Sequence, residues 1–243
     1  MKYLFSSIIF FISNLLFSQV KYDYMFYMDD TVREGSLMVD KEGNKATYID
    51  YGSKWRKVDK EKKAEKKEFV VSVSGPVDSY FYKEKNKNLI YYEELLRLYY
   101  MVVDSTLTIK WTLEKEKKVI DGVTCNKATT NFRGRKWIAW YNPDMPEYFG
   151  PWKFYGLPGV IYEVADESKR FVFVLERIDK KFDYESVKIN LKDYKNIDLK
   201  TYDELRIDAI SLKALSNQRD YIIEQKPYKR NGIELIYEWE DEK

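Results

Sequence analysis

The chain has 243 residues, with 42 Lys and Arg against 40 Asp and Glu, a formal net charge of +2, one Cys and no His. The lack of His excludes Ser-His-Asp and Cys-His catalysis and His-ligated metal sites, and a single Cys excludes an intrachain disulfide and an iron–sulfur cluster. A near-neutral charge argues against a nucleic-acid-binding protein, which usually has a basic face.

The first predicted element is a secretory signal peptide over residues 1–18. Met1-Lys2 is a positive start, Tyr3–Phe17 is an apolar run, and Ser18 is a small residue at the expected cut. The alternative is a membrane anchor, but the run is shorter than the roughly 20 residues that cross a bilayer. We expect cleavage after Ser18 and export of 19–243 as one domain without a membrane-spanning segment.

Short segments that alternate apolar and polar residues predict β-strands, because successive side chains of a strand lie on opposite faces. The clearest alternation is Leu107–Leu113. The aromatic share of 17 %, with 22 Tyr, also favours strands. The other predicted strands are Lys21–Tyr27, Ser36–Asp40, Lys45–Asp50, Phe69–Ser74, Asp78–Lys83, Lys136–Tyr141, Val160–Val164 and Arg170–Glu176.

Turn residues separate these strands. Lys41–Asn44 (KEGN) predicts a hairpin, and Asp121-Gly122 and Arg133-Gly134 provide positions at which φ can be positive. Strands joined by short turns predict an antiparallel sheet or open barrel. The charged segment Lys54–Glu68 contains eight basic and four acidic residues and predicts a solvated loop or edge hairpin. An alternative is a patch that touches anionic lipid or polysaccharide.

The pattern changes near the C-terminus. Thr201-x-x-Glu204 has the form of a capping box, and apolar residues at helical spacing follow it to about Gln225. A last strand is predicted at Ile233–Glu240. The whole pattern predicts a mainly β (α+β) fold, a curved antiparallel sheet or half-barrel with a C-terminal helix packed on it.

The segment 111–162 is rich in Trp, Pro and Gly. Four of the six Trp and four of the six Pro fall within it. Because Pro fixes φ and removes an amide donor, the segment Gly150–Ile161 predicts a stiff corner rather than a central strand. Pro158 followed by Gly159 favours a type II turn with positive φ at Gly159. Cys125, which has no CxxC neighbour, predicts a small buried residue rather than a redox thiol.

One hexapeptide carries a family resemblance. Gly156-Leu157-Pro158-Gly159-Val160-Ile161, entered through Gly150-Pro151, resembles the signature of the GLPGLI family (also called Porph_ging) of exported Bacteroidota proteins, with Val160 in place of Leu. The resemblance is strongest over about 110–175. It implies a cell-envelope location and no particular reaction, in a phylum that often encodes such proteins near outer-membrane receptors of the TonB-dependent kind.

The candidate binding residues surround this corner. Arg133 and Arg135 lie beside Trp137 and Trp140, an arrangement that offers hydrogen-bond donors next to an aromatic platform. The spacing of Trp137 and Trp140 places them on opposite faces of a strand. The remaining candidates are Trp152 and Tyr155.

These observations favour a non-enzymatic envelope protein that binds an outer-membrane partner, a small apolar ligand or a peptide. No catalytic, cofactor or metal motif is present. A second hypothesis is a carboxylate-based hydrolase of glycans or peptides, which needs two acidic groups converging in a pocket. Its candidates are Asp144, Glu147, Glu163 and Asp166. A third is a purely structural envelope subunit with an exposed apolar patch and no pocket.

Overall fold

The computed structural model describes residues 19–57, 71–72, 77–184, 193–216 and 229–240. These residues form thirteen strands and one helix, α1 (Leu199–Ser216). The strands are β1 (Val20–Met28), β2 (Thr31–Val39), β3 (Lys45–Lys57), β4 (Val71–Ser72), β5 (Ser79–Glu84), β6 (Leu89–Leu95), β7 (Leu98–Asp104), β8 (Thr112–Ile120), β9 (Val123–Phe132), β10 (Arg135–Asn142), β11 (Val160–Asp166), β12 (Phe171–Asp179) and β13 (Lys195–Asp198).

All of these strands belong to one open, curved sheet. Its order is β13-β7-β6-β5-β3-β2-β1-β12-β11-β10-β9-β8, and β4 pairs with β3. The pairs are antiparallel except β13 with β7, which is parallel. Helix α1 packs on the sheet through Tyr202, whose ring lies 6.2 Å from Tyr91 and 5.6 Å from Tyr100. The predicted mainly β fold with a C-terminal helix is confirmed.

The predicted turns are also present. Lys41–Asn44 closes the β2–β3 hairpin, where the Asp40 carboxylate accepts the N–H groups of Asn44 and Lys45 at 2.7 and 3.0 Å. Asp121-Gly122 and Arg133-Gly134 have positive φ at both positions, with 49° and 80° in the first pair and 46° and 78° in the second. Such turns match the twist of the strands that they join.

The core lies on the concave face of the sheet. Tyr22, Tyr24 and Phe26 of β1 point there and are buried, and the Phe26 ring stacks on Phe173 at 4.2 Å. Residues between β12 and β13 partly cover the opposite, outer face. These two strands are neighbours in sequence, but six other strands lie between them in the sheet. Tyr184 places its hydroxyl 3.1 Å from Thr47, and Tyr194 packs edge-on against Tyr92.

Two predicted strands are wrong. Leu107–Leu113 is extended but mostly unpaired, and β8 begins only at Thr112. Its alternation reflects packing on the core, since Leu107, Ile109 and Trp111 are partly buried against it. Trp111 also donates to the Tyr155 carbonyl at 2.9 Å. Ile233–Glu240 is irregular and ends in a turn. The N–H groups of Leu235 and Ile236 both donate to the Arg133 carbonyl instead of pairing along a strand. The Glu234 side chain forms an ion pair with Arg133.

The helix begins earlier than the capping-box prediction. Asp198 is its N-cap, since the Asp198 carboxylate accepts both the N–H and the hydroxyl of Thr201. The predicted helix end at Gln225 and the signal peptide 1–18 lie outside the described residues, as do most of Lys54–Glu68 and Phe69–Ser74. No helix in the described ranges is long and apolar enough to cross a membrane.

Candidate functional site

The loop between β10 and β11, residues 143–159, folds into the concave side of the sheet. Phe149 and Tyr155 form an isolated antiparallel bridge, and the Gly150 N–H donates to the Phe154 carbonyl at 2.8 Å. The side chains of Phe149, Phe154 and Leu157 are buried. The chain's own loop therefore fills this part of the concave side with buried aromatic and apolar side chains.

The glycines of the hexapeptide have two different roles. Gly156 has φ of +91°, which L side chains rarely adopt. Gly159 has no positive φ, so the predicted type II turn is wrong there. A Cβ at Gly159 would lie 2.1 Å from the Asn142 carbonyl oxygen, so this position requires glycine because two backbone segments touch. Ile161 and Val160 then continue into β11 and are buried, which makes the motif mainly architectural.

A groove of about 620 Å³ opens beside this loop. Its walls come from segments that are far apart in sequence: β1, the end of β2 with the β2–β3 turn, the residue after β5, the β10–β11 loop and the residue after β12. The lining is mostly apolar. The lining residues are Val20, Tyr22, Val39, Asp40, Lys41, Glu42, Gly43, Lys85, Asp144, Met145, Pro146, Glu147, Tyr148, Leu157, Pro158 and Lys180.

Glu147 is a half-buried acid of the groove, and both of its carboxylate oxygens already accept hydrogen bonds. One oxygen accepts the N–H groups of Tyr148 and Phe149 at 2.9 and 3.1 Å, and the other accepts the Tyr22 hydroxyl at 3.3 Å. Burial raises the pKa of Glu147 despite these bonds, and burial also raises the pKa of Tyr22. These hydrogen bonds connect the β10–β11 loop to β1 and so stabilise the two walls of the groove.

The rim of the groove carries lysines from three separate elements. Lys41 belongs to the β2–β3 turn, Lys85 follows β5 and Lys180 follows β12. The Lys85 ammonium lies 5.5 Å from the centre of the Tyr148 ring. An apolar floor with a mixed charged rim fits a ligand that has an apolar body and a polar end.

The aromatic candidates do not share one surface. Trp137 and Trp152 are core residues, packed 4.9 and 5.3 Å from Phe154. Trp140 lies on the outer face under Lys118, as the odd spacing predicted, and Trp137 on the inner face. Tyr155 is half-buried, and its hydroxyl donates to the Leu107 carbonyl at 3.1 Å. A ligand-binding role for these residues stays a prediction, and the groove does not include them.

Arg133 joins a buried group of charges that we call the ion cluster: Asp104, Arg133, Lys153 and Glu234. Its guanidinium is 1 % exposed and lies 2.8 Å from Asp104, and it also pairs with Glu234. The Lys153 ammonium lies 2.9 Å from Glu234. Although burial opposes it, the charges of Lys153 and Arg133 lower the pKa of Glu234 to about 2. The cluster binds the C-terminal strap, residues 229–240, to the core.

Arg135 also holds the strap. It donates to the carbonyls of Gly232 and Ile233 at 2.6 and 3.1 Å and pairs with the buried Asp166 at 3.1 Å. Both arginine candidates thus contact the chain's own residues.

The four candidate carboxylates lie in three places. Asp144 and Glu147 line the groove, Glu163 pairs with Lys118 on the outer face, and Asp166 accepts the Phe171 N–H at 2.8 Å. Cys125 is buried, and burial raises its thiol pKa to about 11. In the described part of the chain, no group of three or more Cys, Asp or Glu side chains is placed to hold a metal ion.

Sequence reasoning misses most of the groove. Val20, Val39 and Lys85 have the pattern of ordinary strand or turn residues, and only tertiary folding brings them beside Leu157. Glu147 and Leu157 are among the sequence candidates, one as a possible catalytic acid and one as part of the hexapeptide. No local pattern connects them with Tyr22.

Comparison with known proteins gives a likeness of fold. No protein-family model and no curated protein matches this chain. It is similar to PNGF-II in two crystal forms, with a TM-score of 0.53 in both and 14 % and 16 % identity over 79 % of this chain. The chain spans only about a third of the PNGF-II chains, 34 % and 33 %. It is also similar, with a TM-score of 0.44 and 8 % identity, to an uncharacterized conserved protein from Thermus thermophilus, over 75 % of this chain and 91 % of that one.

Proposed function

We propose that this protein is an exported, non-enzymatic binding protein of the cell envelope, located in the periplasm or at the outer membrane, and that its groove takes the apolar part of a ligand or of a partner's peptide. The observation that carries the proposal is the groove of about 620 Å³, whose volume falls in the usual range for ligand sites. Leu157 and Pro158 form part of its lining, so two residues of the hexapeptide contribute to the proposed site.

The lining supports binding more than catalysis. The Glu147 carboxylate has three hydrogen-bond donors within the protein, so its lone pairs are directed at the fold. Asp144 shares the groove, whereas Glu163 and Asp166 lie elsewhere. Of the four sequence candidates, only Asp144 and Glu147 therefore remain for the alternative, a carboxylate-based hydrolase.

The first test measures binding of the apolar fluorophore anilinonaphthalene sulfonate. Met145→Asp places a charge on the apolar lining and should weaken binding about tenfold or more, because an unpaired charge is poorly tolerated in an apolar site. The matched control is Met101→Asp, a half-buried methionine on β7 outside the groove. Equal binding by the wild type and Met145→Asp, with both folded, would refute the proposal.

A second test identifies the natural ligand. The protein is purified from its native envelope, extracted with organic solvent and examined by mass spectrometry. An amphiphile or peptide that is present in the wild type and missing from Met145→Asp supports the groove as its site. Hydrolysis of a glycan or peptide that is lost in Glu147→Gln would instead support the hydrolase.

A further inference from the structure

The end of the β6–β7 hairpin exposes large apolar side chains. Leu96 is 67 % exposed, Leu98 43 % and Tyr99 39 %. Val77 is 51 % exposed, and extending the register in which Tyr80 faces Tyr92 places it level with Leu95. Four of the eight large apolar side chains exposed in the described ranges therefore lie at this one end of the sheet. We call these four residues and Arg97 the hairpin tip.

The turn at the hairpin tip has an unusual sequence for its geometry. Leu96 and Arg97 have φ of +53° and +63°, a region that favours Asn and Gly. The equivalent turns Asp121-Gly122 and Arg133-Gly134 have Gly at their second position. The hairpin tip instead holds a leucine in a strained conformation and leaves it exposed. Because Asn or Gly would be less strained at this position, the exposed leucine points to an external contact.

The shape of the hairpin tip suits insertion. Strands β6 and β7 pair out to Leu95 and Leu98, whereas β5 pairs with β6 only as far as Tyr92. The turn residues Leu96 and Arg97 lie beyond the last pair of the hairpin and form its narrow end. Such an end has little flat area to offer a protein surface, but it can enter the boundary between lipid headgroups and acyl chains.

The order of residues matches the layers of a bilayer. Leu96 is at the apex, and beside it Arg97 is exposed and has no ion pair in the described part of the chain. Tyr99 lies behind them, and tyrosine favours the membrane interface because it has an apolar ring and a polar end. The acidic Glu94 lies opposite Tyr99, and extending the β13–β7 register places Asp193 level with Leu98, so both acids stand behind the Leu96–Arg97 turn.

We propose that the hairpin tip docks this protein on a phospholipid bilayer, with Leu96 in the acyl boundary and Arg97 at the lipid phosphates. This surface is separate from the groove, and either can be tested without the other. Docking of this kind is peripheral and reversible, since a few side chains give modest affinity.

The test is co-sedimentation with vesicles of phosphatidylcholine and phosphatidylglycerol in equal parts. Both the full chain and the form that begins at Gln19 are measured, because the apolar run Tyr3–Phe17 could bind lipid by itself. Leu96→Asn should lower the partition coefficient about tenfold, the loss expected when one leucine no longer leaves water. The same change should keep or raise the melting temperature, because Asn tolerates positive φ.

The matched control is Leu113→Asn on β8, where a leucine of 56 % exposure lies away from the hairpin tip. It should leave vesicle binding unchanged. The proposal is overturned if Leu96→Asn binds as the wild type does, if Leu113→Asn loses as much, or if the wild type binds no vesicles. Vesicle-independent self-association that Leu96→Asn abolishes would also overturn it and assign the hairpin tip to a second copy of the chain.

Discussion

Single residues of the β10–β11 loop show how close the packing is around the groove. Gly150 could not carry a side chain without meeting Ile161, since a Cβ there would lie 2.6 Å from the Ile161 Cδ1. At Gly159 the obstacle is the Asn142 and Pro143 backbone, which cannot rotate away as a side chain can. The two positions therefore differ in how much a substitution should cost.

We expect Gly159→Val to destabilise the protein by more than about 4 kcal/mol or to prevent folding, because the new side chain would overlap backbone atoms. Urea unfolding monitored by tryptophan fluorescence measures the change. The matched control is Gly232→Val, where a Cβ meets no atom within 4 Å. If Gly159→Val is as stable as Gly232→Val, the close backbone approach does not exist.

At the scale of elements, the start of α1 shows why a sequence pattern misplaced a boundary. Thr201 and Glu204 have the spacing of a capping box, but Asp198 caps the helix and Thr201 lies in its first turn. Both residues are good caps, and the choice follows from β13, which must end at Asp198 to pair with β7. A tertiary pairing thus selects between two local signals.

This assignment predicts effects of different size on stability for two substitutions. Asp198→Ala should lower the free energy of unfolding by about 1 kcal/mol, because it removes the acceptor for Thr201. Glu204→Ala should change it by less than about 0.5 kcal/mol, since that side chain is exposed. Chemical denaturation of both variants measures the difference. A larger loss of unfolding free energy for Glu204→Ala than for Asp198→Ala would instead support the capping box that begins at Thr201.

The whole molecule depends on the strap that the ion cluster holds against the core. Glu234 belongs to the strap, whereas Asp104, Arg133 and Lys153 come from three other parts of the chain. Charges that are this deeply buried are costly unless they are paired. Loss of Glu234 would leave Arg133 and Lys153 with too little negative charge.

We expect Glu234→Gln to cost about 3 to 5 kcal/mol near neutral pH, the range for breaking a buried pair. The folded-state pKa of Glu234 is about 2, below its ordinary value of 4.5, so its stabilisation is present above pH 4.5 and is lost as the pH falls towards 2. The difference between wild type and variant should therefore shrink by about 2 kcal/mol between about pH 7 and pH 3.

Urea titrations across that pH range measure this difference. The control is Glu238→Gln, whose side chain is 36 % exposed and pairs with Arg133 at 3.1 Å, and it should cost less than about 1 kcal/mol. A Glu234→Gln penalty that stays constant with pH would show that the carboxylate charge does not hold the strap.

The fold was more predictable than the site for a physical reason. Alternation in Lys21–Tyr27 indicates a half-buried strand. The residues KEGN at 41–44 strongly favour a turn. Alternation in Leu107–Leu113 also indicates burial, but most of this segment packs on the core through its side chains and does not pair with a neighbouring strand. The groove depends on register: Tyr22 and Glu147 meet only because distant strands pair, and no short pattern records that.

The position of β1 has a consequence for the timing of folding. This strand comes first among the described elements, yet it lies in the middle of the sheet, and its pairing with β12 joins Lys21 to Asp179. During synthesis, β1 and β2 can meet early, but one edge of β1 must wait for most of the chain. Contacts between such distant residues slow folding. We expect the nascent protein to stay incomplete, with an open strand edge, until its last third has been made.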